Sequence, residues 1–291
     1  MSDLRILVTG VGAFVAPSII KNYKVIAERN IYVVGVDIKP FVNNKYVDKY
    51  YQYKKPSDDD YIDVLLDICK KEQIQFVIPL VDDELIVLAN NKQKFKDNNI
   101  IICVNDANKI ELVQNKYNLY KYLENYDIAV PKSYIFNSLE EFLEDCKLLD
   151  YPNKPVAYKP VVSSGSRGFR IIDENIDYTN YLFNQKADSK YIDMNFFISS
   201  IKKCQNIPKM MLMEYVEGDL YNVNVLAKDG ETLYSVAGKM LDFAMGNTIK
   251  CQIENNVEVI SYCEKITRLL KLNGNVGFEV AYTNDKKLKL I

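Results

Sequence analysis

The character of the chain changes at Ile128-Ala129-Val130-Pro131, and this change constrains the fold more than any other feature. Before it, strand and helix patterns alternate. Residues 4–9 form an apolar strand, Gly10-Val11-Gly12 a turn, Val15 to Arg29 a helical pattern, and residues 31–37 a second strand ending in an acid. A helix at about 58–72, a strand at 75–81, a helix at about 83–95 and a strand at 100–104 continue the alternation. Strands joined by helical crossovers run parallel, so a Rossmann-like α/β sheet is expected here. Asp106 reads as the cap of a helix near 107–115, and a second helix follows at about 116–126. After Pro131 the strands come as hairpins: 132–136, 155–162, 168–172, 210–216, 221–228, 231–238, 275–283 and 286–291, with helices at 138–148, 192–203 and 256–272. That pattern predicts an α+β region of antiparallel sheets. The boundaries drawn from it are 1–108, 109–215 and 216–291.

A chain of 291 residues is long enough for about two domains with conventional cores. Histidine is absent, which removes the usual general base, the usual zinc ligand and any Ser-His or Cys-His nucleophile system. Chemistry must rest on Lys, Arg, Glu, Asp, Asn or backbone. The formal net charge of −2, with acids and bases interspersed, gives no basic stripe for a nucleic-acid backbone. Six scattered cysteines without a Cys-x-x-Cys pair, several of them in apolar runs, read as buried reduced thiols. No apolar run approaches the ~18 residues of a membrane span, and the N-terminus lacks a secretory pattern. A soluble, cytoplasmic protein is expected.

Three motifs bear on chemistry. From Val156 to Ile172 a strand carrying Lys159 breaks into Ser163-Ser164-Gly165-Ser166-Arg167-Gly168 and resumes as a second strand. Such a loop folds backbone N–H groups over polyphosphate oxygens beside a compact positive charge; equally, it is a hairpin with a glycine turn. Its spacing is not that of the Walker loop. Gly10-Val11-Gly12 with Asp37 invites a dinucleotide reading, but Val15 stands where the fingerprint wants a third glycine. A nicotinamide-dependent oxidoreductase is therefore disfavoured. Met210 to Asp219 is a strand that turns sharply after a second glutamate, a pattern suited to sandwiching a planar base or to an ordinary turn.

Taken together, Lys116 at a helix start, Lys159 before its Ser/Gly loop, and Glu214-Tyr215-Val216-Glu217-Gly218 resemble the ATP-grasp enzymes in order and spacing, most of all the carbamoyl-phosphate synthase large-chain branch. The resemblance covers nearly the whole chain. It implies a Rossmann-like preATP-grasp domain, then an ATP-grasp domain of two subdomains, the last incomplete. It further implies that Lys116 and Lys159 contact ATP phosphates and that Ser163 to Gly168 covers them. Glu214, Tyr215 and Val216 would border the adenine, Glu217 the ribose, and Lys239 a phosphate or the acceptor. Leu241 to Thr248 resembles that branch's acceptor-side loop. Glu279 matches a Mg²⁺ ligand, while the strand Lys286 to Ile291 stops where the family's Glu-x-Asn-Pro-Arg would follow, so the chain reads as truncated. The implied chemistry is ATP-dependent ligation of a small-molecule carboxylate to an amine through an acylphosphate. A catalytically silent nucleotide-binding fragment is the alternative. No nucleic acid or membrane partner is expected, and a homodimer is one assembly this reading allows.

Overall fold

The computed structural model describes residues 3–26, 28–40, 42–163, 167–177, 180, 190–244 and 247–291. The chain divides into two compact units, Met1–Glu111 and Leu112–Ile291.

In the first unit, strands β1 (Leu4–Thr9), β2 (Ile31–Asp37), β3 (Lys49–Gln52), β4 (Phe76–Ile78) and β5 (Ile101–Ile102) form one sheet in the order β3-β2-β1-β4-β5, parallel throughout. Successive residues of β1, Ile6, Leu7 and Val8, are all buried, as a strand covered on both faces requires. Helices α1 (Ala16–Lys24), α2 (Tyr61–Lys71), α3 (Asp82–Asn90) and α4 (Lys92–Lys96) supply that cover. The single helix expected over 83–95 is broken at Asn91, whose side-chain amide donates to the Val87 carbonyl at 2.9 Å and so competes with the helical ladder. Gly10 adopts φ +59°, and a Cβ there would lie 2.4 Å from Val81 Cγ2. Gly12 has a different reason to be glycine. Its N–H donates to Asp37 Oδ2 at 2.8 Å, and a Cβ would come within 2.9 Å of that oxygen. The glycine thus serves a carboxylate as well as a turn.

The second unit begins with α5 (Ala107–Gln114) running into it and α6 (Lys116–Glu124). Strands β6 (Ser133–Phe136), β7 (Val156–Pro160), β8 (Arg170–Ile172), β9 (Tyr191–Ile192) and β10 (Met210–Glu214) form a sheet ordered β6-β10-β7-β8-β9. One face packs on α7 (Leu139–Leu148) and α8 (Met194–Ile201), where Phe142 and Phe197 meet with ring centroids 4.3 Å apart. The other face, carrying Ala157, Ile171, Met211 and Met213, shares a core with Leu119, Tyr120 and Leu123 of α6.

The third sheet has the order β13-β12-β11-β14-β15, built from β11 (Gly218–Lys228), β12 (Glu231–Ala244), β13 (Asn247–Glu254), β14 (Gly274–Thr283) and β15 (Leu288–Leu290), all antiparallel. Along β11 the residues Tyr221, Val223, Val225 and Ala227 are buried while their neighbours are not, and α9 (Val257–Leu269) covers that face through Val259, Cys263 and Ile266. The stretch expected to be a loop at 241–248 belongs instead to β12 as far as Ala244 and to β13 from Asn247. The register shifts at Met240/Asp242 and again at Asp242/Phe243, which is why the strand does not show there as a clean alternation.

Candidate functional site

Lys159 lies on β7 opposite Met211, on the face that looks toward α6. Backbone contacts fix what stands beside it. The Lys116 N–H donates to the Val161 carbonyl at 3.1 Å, and Asn115 forms an isolated bridge with Val162, so the start of α6 is fastened to the end of β7. Asn115 also caps the helix by accepting the Asn118 N–H at 3.0 Å. Two lysines are thereby held together by main chain rather than by attraction. The pKa of Lys159 is brought down to about 8, first by burial, then by the Lys116 ammonium, with Glu279 pulling partly the other way. Its ammonium also stands 5.9 Å from the centroid of the Tyr120 ring.

Glu279 is on β14, directly opposite Asn222 of β11, and is exposed. Asn222 donates to Thr248 Oγ1 at 2.9 Å, so oxygen and amide groups line the sheet beside the carboxylate. Lys116 and Glu279, which stand far from Lys159 in sequence, both lie near enough to it to act on its charge. Tyr120 completes the group. It follows Lys116 by one helical turn, is fully buried, and its hydroxyl has no hydrogen-bond partner among the described residues. Burial raises its pKa, with Tyr262 and Glu279 adding to the shift, so the hydroxyl stays protonated. Sequence reasoning missed Tyr120, although its spacing from Lys116 puts both on one helix face.

The segment after β10 has its own logic. Glu214 Oε1 accepts the Lys132 N–H at 2.8 Å and the Lys289 ammonium at 2.5 Å, so this carboxylate is occupied inside the protein. The Tyr215 N–H donates to the Pro155 carbonyl at 3.3 Å, and its hydroxyl accepts from Lys190 at 3.3 Å. The Val216 N–H makes no hydrogen bond among the described residues, and Glu217 is exposed. Gly218 has φ +152°, and a Cβ there would strike the Tyr282 carbonyl oxygen at 2.3 Å. The glycine is what lets the strap turn tightly onto β14.

Gly168, at φ +75°, lies against Pro160, and Ser163 and Arg167 are exposed; Ser164, Gly165 and Ser166 lie outside the described residues. Lys239 does not join the two other lysines. It pairs in register with Tyr221, so it projects from the opposite face of the sheet to Glu279, and its ammonium meets Asp219 Oδ2 at 2.6 Å.

A sequence profile of the ATP-grasp domain matches residues 113–291, more than half the chain. The chain belongs to the ATP-grasp family. Residues 6–103 match the profile of a PylC-like N-terminal domain, so the ATP-grasp domain follows a preATP-grasp domain. The carbamoyl phosphate synthase large chain of Clostridium beijerinckii is 26% identical over 226 residues, covering 75% of this chain and 19% of that protein. The present chain therefore spans about a fifth of that relative's length. Among solved structures, the ADP complex of PurK, an N5-carboxyaminoimidazole ribonucleotide synthetase, superposes with a TM-score of 0.68 at 14% identity, over 99% of this chain and 68% of that one. The biotin carboxylase domain of Hydrogenobacter thermophilus 2-oxoglutarate carboxylase, solved with MgADP, ADP and bicarbonate, gives 0.64 at 16% identity, over 99% and 62%. These two likenesses show the ATP-grasp fold.

The donor set of this ATP-grasp domain fits a polyphosphate. Lys116 adds its charge to that of the desolvated Lys159, and farther along the chain from β10 the Val216 N–H makes no hydrogen bond among the described residues. For a divalent cation the fit is narrower. Among the described residues no group of three or more His, Cys, Asp or Glu side chains converges. Among the described residues Glu279 is the carboxylate that acts on Lys159, and it fits an ion that arrives on phosphates, since Mg²⁺ is commonly held by one or two carboxylates plus substrate phosphates.

Proposed function

We propose that this chain binds ATP with Mg²⁺ in the cleft where Lys159 of β7, Lys116 of α6 and Glu279 of β14 converge, and that it serves ATP-dependent ligation of a carboxylate to an amine. The convergence of these three residues carries the reading. Lys116 and Lys159 would neutralise phosphate oxygens. Residues 163–168 would lie over them, Glu214, Tyr215 and Val216 along the adenine edge, and Glu217 at the ribose. Because the Glu214 side chain is held by Lys132 and Lys289 and its N–H donates to the Lys132 carbonyl at 3.0 Å, only its own carbonyl is left for a base. Glu279 would hold the cation, which supplies charge neutralisation between phosphates when bound. Lys239, on the other face of the sheet and paired with Asp219, has no part in this site.

In the reaction a substrate carboxylate oxygen attacks the γ-phosphorus and ADP leaves, giving an acylphosphate. The amine then attacks the acyl carbon and inorganic phosphate departs. Neither step needs a histidine, because positioning and charge neutralisation lower most of the barrier to phosphoryl transfer. The absence of a multi-carboxylate group among the described residues favours a second reading, nucleotide binding without turnover. ADP release measured over a panel of carboxylic acids with an amine separates the two. Calorimetry tests the shared premise: Lys159→Ala should lower ATP affinity about 10- to 150-fold, the loss of a hydrogen bond to a charged group. Equal affinity in wild type and variant would refute it.

A further inference from the structure

β13 is an edge of the third sheet. Edge strands are usually blunted by proline, by shortness or by charge, because their free N–H and C=O groups pair with any strand that fits. β13 has eight residues and no proline. Its stretch from Lys250 to Glu254 pairs residue by residue with β12 on the inner side, and the outer side of the same stretch pairs with nothing among the described residues. Cys251 and Ile253 share one face: a Cβ on Gly238 of β12 would come 3.4 Å from the Cys251 Cβ and 3.7 Å from Ile253 Cδ1. Neither is covered. Ile253 is 67% exposed, and Cys251, expected from the sequence to be buried, is exposed as well. Lys250, Gln252 and Glu254 occupy the other face, as strand alternation requires. Lys250 is exposed and makes no ion pair among the described residues. A lone edge lysine ordinarily keeps a second strand away.

Pairing the strand with a copy of itself reverses that role. Two copies related by a two-fold axis pair antiparallel, with the axis passing through one residue. An axis at Lys250 sets lysine against lysine, and one at Cys251 sets Lys250 against Gln252. An axis at Gln252 sets each Lys250 against the partner's Glu254 and each Cys251 against the partner's Ile253. Only this last register makes both faces complementary, opposite charges on one and apolar groups on the other. Glu254 has room for the added donor. Its Oε2 accepts the Tyr221 O–H at 2.9 Å and its Oε1 the Gln252 amide at 3.3 Å, whereas a carboxylate offers about four acceptor sites.

We infer that β13 is the docking edge for a second copy of this chain, the two third sheets joining into one antiparallel sheet about a two-fold axis at Gln252. The interface is one strand pair with its flanking side chains, so it belongs to the small class and the dimer dissociates on dilution.

Sedimentation equilibrium of the 291-residue chain over a dilution series should show the average mass rising with concentration from 33.6 kDa toward twice that value. Lys250→Glu, at an exposed position, should weaken association at least about 5-fold without lowering the melting temperature, and adding Glu254→Lys should restore most of it. Cysteine placement reads the register. With the other exposed cysteines, Cys103, Cys204 and Cys251, changed to Ser, Gln252→Cys should cross-link to its own copy under mild oxidation. Facing residues of an antiparallel pair lie about 4.5–5.5 Å apart between Cα atoms, within disulfide reach. Cys251, with Cys103 and Cys204 removed, should not cross-link, because its own copy is a diagonal neighbour at about 7–8 Å. A chain that stays monomeric at every concentration overturns the inference. So does a dimer that Lys250→Glu leaves unchanged, or one that oxidises through Cys251 in preference to Gln252→Cys.

Discussion

Replacing Lys159 with methionine should make the protein more stable and less able to hold a nucleotide. The pKa of Lys159 is lowered from 10.5 to about 8, chiefly by burial and next by Lys116. At ~1.4 kcal/mol per pH unit, keeping it charged at pH 7 costs the fold up to roughly 3 kcal/mol relative to the unfolded chain. Because Lys159 keeps some solvent contact, we discount this to about 1–3 kcal/mol. Methionine has nearly the same reach and no charge. The variant should therefore melt about 2–12 °C higher, at roughly 2–4 °C per kcal/mol for a unit of this size. The pH dependence gives the sign. Between pH 8 and 10.5 the unfolded lysine binds more protons than the folded one, so wild-type stability rises with pH through that window. The advantage of the variant is complete below pH 8 and disappears by about pH 10.5. Scanning calorimetry at pH 7, 9 and 10.5 measures it. A variant that melts at or below wild type at pH 7, or whose advantage does not shrink with pH, would show that the site stores no electrostatic cost.

Gly218→Ala should cost at least ~2 kcal/mol in urea unfolding, since φ +152° and a 2.3 Å approach to the Tyr282 carbonyl leave no room for a methyl group; a loss under ~0.5 kcal/mol would contradict that geometry. Glu84 is buried and accepts from Thr9, Tyr61 and the Val81 N–H, yet burial still raises its pKa. A raised carboxyl favours the protonated fold, so wild type should gain on Glu84→Gln as pH falls from 7 to 5, and a melting difference that moves the opposite way would refute this. In the first unit, Asp37 is committed to the Gly12 and Lys39 N–H groups at 2.8 and 3.0 Å, and calorimetry should detect no saturable NAD binding; micromolar binding abolished by Gly12→Val would reverse the reading.

The alternation before Pro131 and the hairpins after it were enough to foresee a parallel sheet followed by antiparallel ones, because apolar periodicity reports directly on covered faces. Lys116, Lys159 and Glu279 could be singled out from the sequence because each sits in a motif. β13 was not, although Ile249, Cys251 and Ile253 alternate as a strand should. Those apolar side chains are exposed, and the face that is used inward carries Glu254 bonded to Tyr221, so the pattern points the wrong way for a core. β3 is a short edge strand of Lys-Tyr-Tyr-Gln, too polar to stand out. The reason given from sequence against a dinucleotide site also needs revision. Val15 is 49% exposed, so it is not wedged between helix and strand, and the commitment of Asp37 is the stronger argument. The pairing of Lys239 with Asp219 depends on register between β11 and β12, which no local pattern encodes.

The ion pair of Glu214 with Lys289 ties the end of β10 to β15, and residues 215–217 join β10 to β11 by covalent chain at the same place. Both connections therefore lie along one margin of the two sheets, like the spine of a book. Any splaying of these sheets has to pivot about that spine, and its amplitude grows with distance from it. The strap at 214–218 then behaves as an axle, keeping its position while the remote ends of the strands travel. An object seated against the strap would keep its grip on the protein through each opening, and its far end alone would be uncovered.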